Sequence, residues 1–194
     1  MERVAAAFVL VLLLPLLAMV GVVIWILSGA APLVAHRRVG RFGKPFWMLK
    51  FRTMWERGER GRFRWIEMLP DPSVPEIKTG GDARVTSAFA RFCRKHSIDE
   101  LPQLWHVATG EMSLVGPRPP IPYEIEAYDI WHRRRLLESR PGITGLWQVH
   151  GRSKTTFDEM VRLDLQYSRM WSPMLDVKIL LQTPRAVFSG DGAY

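Results

Sequence analysis

Length, composition and charge narrow the classes of protein to which this chain can belong. Its 194 residues, 47% of them hydrophobic, are enough for one domain with a packed core, with or without an anchor. Lys and Arg outnumber Asp and Glu by 27 to 19, so the chain attracts anions such as lipid headgroups, nucleic acid or phosphorylated small molecules. The single cysteine, Cys93, excludes an intramolecular disulfide framework.

The N-terminus carries a long apolar segment. Residues 4–27 (VAAAFVLVLLLPLLAMVGVVIWIL) include no charged side chain, and at about 1.5 Å per residue they reach roughly 36 Å, enough to cross a bilayer. This run is longer than the core of a secretory signal peptide, and Arg3 is the only cation before it. We therefore expect residues 1–30 to stay in the chain as a membrane segment.

Pro15 divides this segment into two arms. Proline lacks an N–H and presses on the carbonyl four residues back, so a kink is predicted there. Each arm is about half a bilayer long, so a kinked span and a helix–break–helix that returns to the same face are both feasible. Positive residues follow the segment and predict a cytoplasmic body, residues 31–194, under either geometry. These residues are His36, Arg37, Arg38, Arg41 and Lys44.

The next stretch, GKPFWMLKFRTM, has the aromatic content of a β-strand. Alternation would place Lys50 and Arg52 on one face of that strand, either as a phosphate-binding pair or as an ordinary solvated face. Residues 56–82 are rich in Gly and Pro, which predicts a long surface loop.

Two short helices are predicted after the loop. In RVTSAFARFCRKHS the apolar residues fall on one helical stripe bordered by arginines, which suits a core or a membrane surface. In SIDELPQLWHVATG a helix ends at Gly110. A capping box from Ser97 to Glu100 would place Pro102 where a backbone N–H is needed, so Asp99 is the predicted N-cap.

Asp99 and Glu100 are the best candidates for chemistry. Structural capping alone would explain an acid at a helix start. A carboxylate there can also face a phosphate if cations and a bridging divalent metal neutralise the pair. The motifs of zinc hydrolases and serine hydrolases, HExxH and GxSxG, are absent. The cations available are Lys50, Arg52, Arg94 and Arg118.

Ordered blocks along the whole chain resemble the monotopic phosphoglycosyl transferases, the bacterial sugar transferases that begin glycan assembly on polyprenyl phosphate. The blocks are Pro15 in the apolar segment, RVGRFGKPFWMLKFRTM, SIDELPQLWHVATGEMSLVGPRP, RPGITGLWQVHGRS and the C-terminal stretch from DLQYSRMW. The resemblance implies a mostly helical α+β body with a small β element and amphipathic interfacial helices. It also implies a re-entrant membrane helix at the cytoplasmic face of the inner membrane.

The resemblance further implies a chemistry for the acid pair. Asp99 would be the nucleophile and an Mg²⁺ ligand, with Glu100 as its partner. Lys50, Arg52, Arg94 and Arg118 would lie near the phosphates and nucleotide of a UDP-sugar. The expected reaction transfers a sugar 1-phosphate to polyprenyl phosphate and releases UMP, as the first membrane step of exopolysaccharide assembly. Membrane lipid is an expected partner and nucleic acid is not, and the oligomeric state stays open.

The chain departs from the family pattern at one place. The family commonly has Ser before the membrane proline, whereas this chain has Leu14, which weakens the case for a re-entrant helix.

Two other functions compete with the one that the resemblance implies. In a direct-attack transferase, Asp99 would only hold metal. A non-catalytic binder of anionic lipid or nucleic acid would use the same +8 charge without needing the acid pair. The short chain is expected to be the catalytic unit alone.

Overall fold

The computed structural model describes residues 2–55, 64–70, 84–126, 128–151 and 155–188, with only the backbone at residues 136–138. Within these ranges the chain is α+β and mostly helical, as predicted. The helices are α1 (Glu2–Ser28), α2 (Ala88–Lys95), α3 (Leu104–Thr109), α4 (Pro122–Glu126), α5 (Ile130–Glu138), α6 (Leu146–His150), α7 (Phe157–Met170) and α8 (Pro173–Phe188). The strands are β1 (Leu33–Val39), β2 (Pro45–Phe51), β3 (Ile66–Met68), β4 (Ser113–Val115) and β5 (Gly142–Thr144).

Helix α1 is apolar on all sides and packs on the body along one face. The helix continues through Pro15 as a single element. Ala6 and Ile24 are buried, while Phe8 and Val11 on the other face are each 71% exposed. Among the described residues, α1 is the helix long and apolar enough to cross a membrane. Its outer face needs an apolar environment, because so many large hydrophobic side chains are exposed together.

Both ends of α1 contact the same body. At the N-terminal end, the Glu2 carboxylate accepts hydrogen bonds from Ser113 Oγ at 3.0 Å and from the Leu114 amide at 3.1 Å. At the C-terminal end, Ile24 packs in one cluster with Phe51 and Cys93. The helix therefore lies along the body and does not lead away from it.

The larger sheet has the strand order β2-β1-β3 and positions the first half of the site. Strands β1 and β2 are antiparallel, with Val34 opposite Lys50, and a 3-10 turn at Arg41–Gly43 joins them. The predicted strand around Lys50 is therefore confirmed. Because β1 pairs on its other edge with β3 in parallel, the loop predicted over residues 56–82 is wrong at β3. The remainder of that loop, residues 56–63 and 71–83, lies outside the described residues.

The segment between α2 and α3 differs from the prediction. Ser87 caps α2 through its hydroxyl, which accepts from the Ala90 amide at 3.0 Å. Ser97 then takes a left-handed conformation, φ 53°, and a 3-10 helix spans Ile98–Gln103 before α3 begins at Leu104. Asp99 lies inside this 3-10 helix and is not a helix N-cap. We call the Ile98–Gln103 helix the dyad turn, because it carries both members of the acid pair, Asp99 and Glu100.

A second, two-stranded sheet positions the other half of the site. Strands β4 and β5 are parallel, and α6, α7 and α8 pack against them. Their shared core is formed by Val115, Leu146, Tyr167 and Ile179. The tight turn after β4 contains the prolines that precede and follow Arg118.

Candidate active site

The acid pair faces strand β2. The Lys50 ammonium on β2 binds the Glu100 carboxylate of the dyad turn, with Nζ 2.7 Å from Oε1. The two side chains are 20% and 30% exposed, so water screens this ion pair only in part. Lys50 and the acid pair are therefore brought together as predicted, although 49 residues separate them along the chain.

Asp99 and Glu100 are adjacent but have different surroundings. Among the described residues, no cation forms an ion pair with the Asp99 carboxylate, whereas Glu100 has Lys50. Burial raises the pKa of Asp99 to about 7, although Lys50 opposes the shift. The charge of Glu100 adds to the rise, and Arg94 opposes it. Asp99 is thus a partly buried carboxyl that titrates near neutral pH and is not used in an internal salt bridge.

The predicted cations Arg94 and Arg52 occupy two different places. Arg94 is close enough to affect Asp99, and its Nη1 donates to Thr53 Oγ1 at 3.5 Å. Arg52 donates from Nε to the Ala31 carbonyl at 2.8 Å and pairs through Nη2 with Glu67 of β3 at 2.5 Å. Arg52, directly after β2, therefore links the segment before β1 to β3. It is not among the residues that line the cleft beside Glu100.

Arg118 lies in a loop whose backbone is held at four consecutive carbonyls. We call residues 116–120, GPRPP, the Arg118 loop. The four carbonyls of residues 117–120 each accept a hydrogen bond from outside the loop. The donors are the Gly142 amide at 2.8 Å, Arg135 Nη2 at 2.8 Å, Arg38 Nη1 at 3.4 Å and the Val39 amide at 3.0 Å. The loop is rigid because prolines limit its φ angles and these donors limit its position.

The two arginines that hold this loop are themselves buried. Arg135 is 1% exposed and lies 3.3 Å from Asp164, a carboxylate that is equally buried. Burial raises the pKa of Asp164 to about 7, against the effect of Arg135. Burial and the nearby Arg118 lower the pKa of Arg38 to about 10. A buried charge of this kind is costly to maintain, which indicates that the position of the Arg118 loop matters.

Lys50, the dyad turn and the Arg118 loop enclose one cleft. The cleft holds about 310 Å³, including the part open to solvent. Its charged lining is Lys50, Glu100 and Arg118, and two amides, Gln103 and Gln148, complete the polar lining. Met48, Pro119, Gly142 and Ile143 provide the rest of the wall. Asp99 and Arg94 are not among the lining residues, so Glu100 is the member of the acid pair that reaches the cleft wall. Two cations beside this carboxylate suit an anionic substrate such as a diphosphate.

A buried histidine joins β2 to α3, which directly follows the dyad turn, and the sequence did not suggest it. His106 on α3 accepts the Leu49 amide of β2 at Nε2, at 3.0 Å. Its Nδ1 lies 2.7 Å from Glu111 Oε2, so Nδ1 carries the proton and donates it to Glu111. Leu49 precedes Lys50 on β2, so this hydrogen bond helps to fix the backbone that carries the Lys50 side chain. A lone histidine on a short helix gives no sequence signal for this role.

The fold and the cleft together point to a class: an enzyme with a long apolar N-terminal helix and an acid pair beside cationic side chains. Comparison with known proteins then gives the family. The model of the bacterial sugar transferases matches residues 1–190, so the chain belongs to the bacterial sugar transferase family. The predicted family and the predicted enzyme class, a phosphoglycosyl transferase, are confirmed.

Three relatives illustrate the match. The chain is 40% identical to a UDP-galactose-lipid carrier transferase of Erwinia amylovora, over all of this chain and 40% of the relative. It is 39% identical to the exopolysaccharide production protein ExoY of Rhizobium meliloti, over 98% of this chain and 84% of the relative. It is 38% identical to a UDP-glucose:undecaprenyl-phosphate glucose-1-phosphate transferase of Caulobacter vibrioides, over all of this chain and 70% of the relative. The chain therefore spans less than half of the first relative and most of the other two.

Proposed function

We propose that this protein transfers a sugar 1-phosphate from a UDP-sugar to a membrane polyprenyl phosphate and releases UMP, through a covalent phosphosugar on Asp99. The observation that carries the proposal is the difference between the two acids. Glu100 is neutralised by Lys50 at 2.7 Å, whereas Asp99 has no such partner in the described structure. Asp99 is thus available to form a bond, and Glu100 is held as its neighbour.

The first step is an attack of Asp99 on the donor. A carboxylate oxygen of Asp99 bonds to the phosphorus that carries the sugar, and the bond from that phosphorus to the bridging oxygen breaks. UMP leaves with the bridging oxygen, and the sugar phosphate stays on Asp99 as an acyl phosphate. Lys50 and Arg118, which line the cleft, reduce the repulsion between the anionic nucleophile and the anionic donor.

The second step transfers the sugar phosphate to lipid. A phosphate oxygen of the polyprenyl phosphate bonds to the same phosphorus, and the bond between that phosphorus and the Asp99 oxygen breaks. The Asp99 carboxylate leaves with both of its oxygens, and the product is a polyprenyl diphosphate sugar. The Arg118 loop is held by buried donors, so the cation keeps its position while first UMP and then the lipid product leave.

The acid pair also fits Mg²⁺. Mg²⁺ is commonly bound by one or two protein carboxylates together with substrate phosphates, and no larger cluster of ligands exists among the described residues. Asp99 would hold the ion, and its raised pKa reflects burial that a nearby cation would offset. When bound, Mg²⁺ supplies charge neutralisation at the phosphates.

We further propose a re-entrant or in-plane anchor on the cytoplasmic face of the inner membrane. The hydrogen bonds of Glu2 and the packing of Ile24 support this geometry, since both ends of α1 rest on one body. The cationic residues that follow α1 favour the cytoplasmic side. A donor dissolved in the cytoplasm could then meet an acceptor that is held in the lipid.

UMP release from a panel of UDP-sugars tests the function. Purified protein in detergent with Mg²⁺ should release about one UMP per enzyme without acceptor, and should turn over continuously when polyprenyl phosphate is added. UMP release that depends entirely on acceptor would favour direct attack by the lipid phosphate. Release from no UDP-sugar, with or without acceptor, would contradict the proposed function.

A further inference from the structure

Gln148 presents a buried acceptor without a donor in the wall of the active-site cleft. The residue lies on α6 and lines the cleft together with Lys50, Glu100 and Arg118. Its side-chain Oε1 is buried and has no hydrogen-bond partner among the described residues. Such an atom is shielded from solvent and accepts no hydrogen bond from the protein, which is uncommon in folded proteins.

The orientation of the Gln148 amide follows from its other contact. Nε2 donates to the Ile143 carbonyl at 3.3 Å. A carbonyl can only accept, so the opposite orientation of the amide would place two oxygens against each other. The nitrogen therefore faces Ile143, and the oxygen is the group left for another molecule.

The remaining lining of the cleft indicates which part of a substrate this oxygen recognises. The cationic side chains Lys50 and Arg118 match phosphate oxygens, which only accept hydrogen bonds. A carbonyl oxygen repels those same atoms. It matches instead an uncharged group that carries an O–H or N–H donor.

We infer that Gln148 is a specificity-determining residue, whose side-chain carbonyl accepts a hydrogen bond from an uncharged donor group of the nucleotide sugar, either a sugar hydroxyl or the uracil N–H. This inference rests on the proposed function. Oε1 is buried, so a ligand would reach it only after the amide turns toward the cleft, and the hydrogen bond that such a turn would break is the long 3.3 Å contact of Nε2 to the Ile143 carbonyl.

The test replaces Gln148 with methionine, which keeps the length of the side chain and removes the acceptor. The KM for the UDP-sugar that the wild type uses should rise roughly three- to tenfold, with the maximal rate changed less than about twofold. The melting temperature should change little, because removal of the buried oxygen without a partner offsets the loss of the long hydrogen bond to the Ile143 carbonyl. Gln166→Met, at an exposed position of α7, is the matched control and should leave both values unchanged.

Inhibition by UMP identifies the group that is recognised. If the inhibition constant of UMP rises in Gln148→Met along with KM, the donor group belongs to the uridine; if it stays constant, the donor is a hydroxyl of the transferred sugar. An unchanged KM in a folded Gln148→Met protein would overturn the inference while wild-type UMP release still supports the proposed function. A wild type that releases no UMP would overturn the proposed function itself.

Discussion

Asp99 and Glu100 carry the same charge, yet their neighbours give them different roles. Lys50 compensates Glu100 directly, and Asp99 remains partly buried with a pKa raised to about 7. In the proposed function Asp99 must be ionised to attack, so a pKa near 7 would leave a large fraction of the free enzyme unreactive near neutral pH. The pKa of one side chain therefore connects local burial to the rate of the first step.

The pH dependence of the donor reaction follows from this pKa. Since the carboxylate is the reactive form, kcat/KM for the UDP-sugar should rise with pH, with a midpoint near 7 at low Mg²⁺ and a lower midpoint at high Mg²⁺. Glu100→Gln should shift the midpoint to lower pH, because it removes a neighbouring negative charge and releases Lys50. Profiles of kcat/KM from pH 5.5 to 8.5 (about three units) would check this. A flat profile in both proteins would contradict it.

Arg118 should act on the binding of the donor. Arg118→Ala removes a guanidinium from the cleft while the carbonyls of its loop keep their donors. The KM for the UDP-sugar should rise roughly ten- to a hundredfold, as expected for a lost charge-assisted hydrogen bond to phosphate. Arg162→Ala on α7 removes an equal charge from an exposed position and serves as the control. Equal effects of the two substitutions would mean that Arg118 acts only through overall charge.

At the scale of elements, some features follow from the sequence and others do not. Alternation around Lys50 predicts β2, and glycine predicts the end of α3 at Gly110, whose φ is 88°. The prediction of Asp99 as N-cap is wrong, because the chain forms a 3-10 helix through Pro102 and α3 begins only at Leu104. Local rules for caps do not indicate which helix type a buried proline will stabilise.

The contacts that join elements are beyond local patterns. His106 contacts β2, and Gln148 lines the same cleft as Glu100, only because the chain folds back over many residues. Likewise Arg38 counts in the sequence as one of several anchor-flanking cations, yet in the structure it is buried and holds the Arg118 loop. The sequence therefore predicts the acid pair and candidate cations. The residues that position them can be recognised only from the folded structure.

The link from α3 to β2 can be broken at His106. His106→Phe keeps a ring beside Phe46 but leaves the Leu49 amide without an acceptor, which should lower the free energy of unfolding by about 1–2 kcal/mol. The rate of UMP release should fall as well, because Lys50 follows Leu49 on the strand. Denaturant unfolding and burst kinetics measure the two effects. Thr109→Val, which removes a 3.3 Å contact to Glu111 and leaves the imidazole in place, should change little.

At the scale of the whole molecule, the anchor is part of the catalytic body. The residues of α1 that face the body share its hydrophobic clusters, including Ala6 beside Val107 and Val20 beside Phe51. The opposite face of α1 is left for lipid. In the proposed function, an anchor packed along its length would fix the depth of the cleft relative to the membrane, so that a soluble donor and a lipid acceptor could reach the same carboxylate.

The topology of α1 can be measured by labelling. A cysteine in a short N-terminal tag and a second cysteine at Lys178 on α8 should both resist an impermeant maleimide in intact spheroplasts, and both should react after permeabilisation. Pro15→Leu should allow a fraction of molecules to span the membrane and expose the tag, since it restores a backbone donor. Labelling of the unmodified chain's tag in intact spheroplasts would exclude an anchor with both ends on one side.

The covalent intermediate on Asp99 is the central claim, and mass spectrometry of the intact protein tests it most directly. Enzyme incubated with a UDP-sugar and no acceptor should gain the mass of one sugar phosphate, located at Asp99 by peptide mapping and lost when polyprenyl phosphate is added. Asp99→Asn should show neither adduct nor UMP release, and Asn keeps the size of the side chain, so a folded control is expected. Glu100→Gln should react slowly and still form the adduct on Asp99. An adduct on Glu100, or on folded Asp99→Asn protein, would contradict the account.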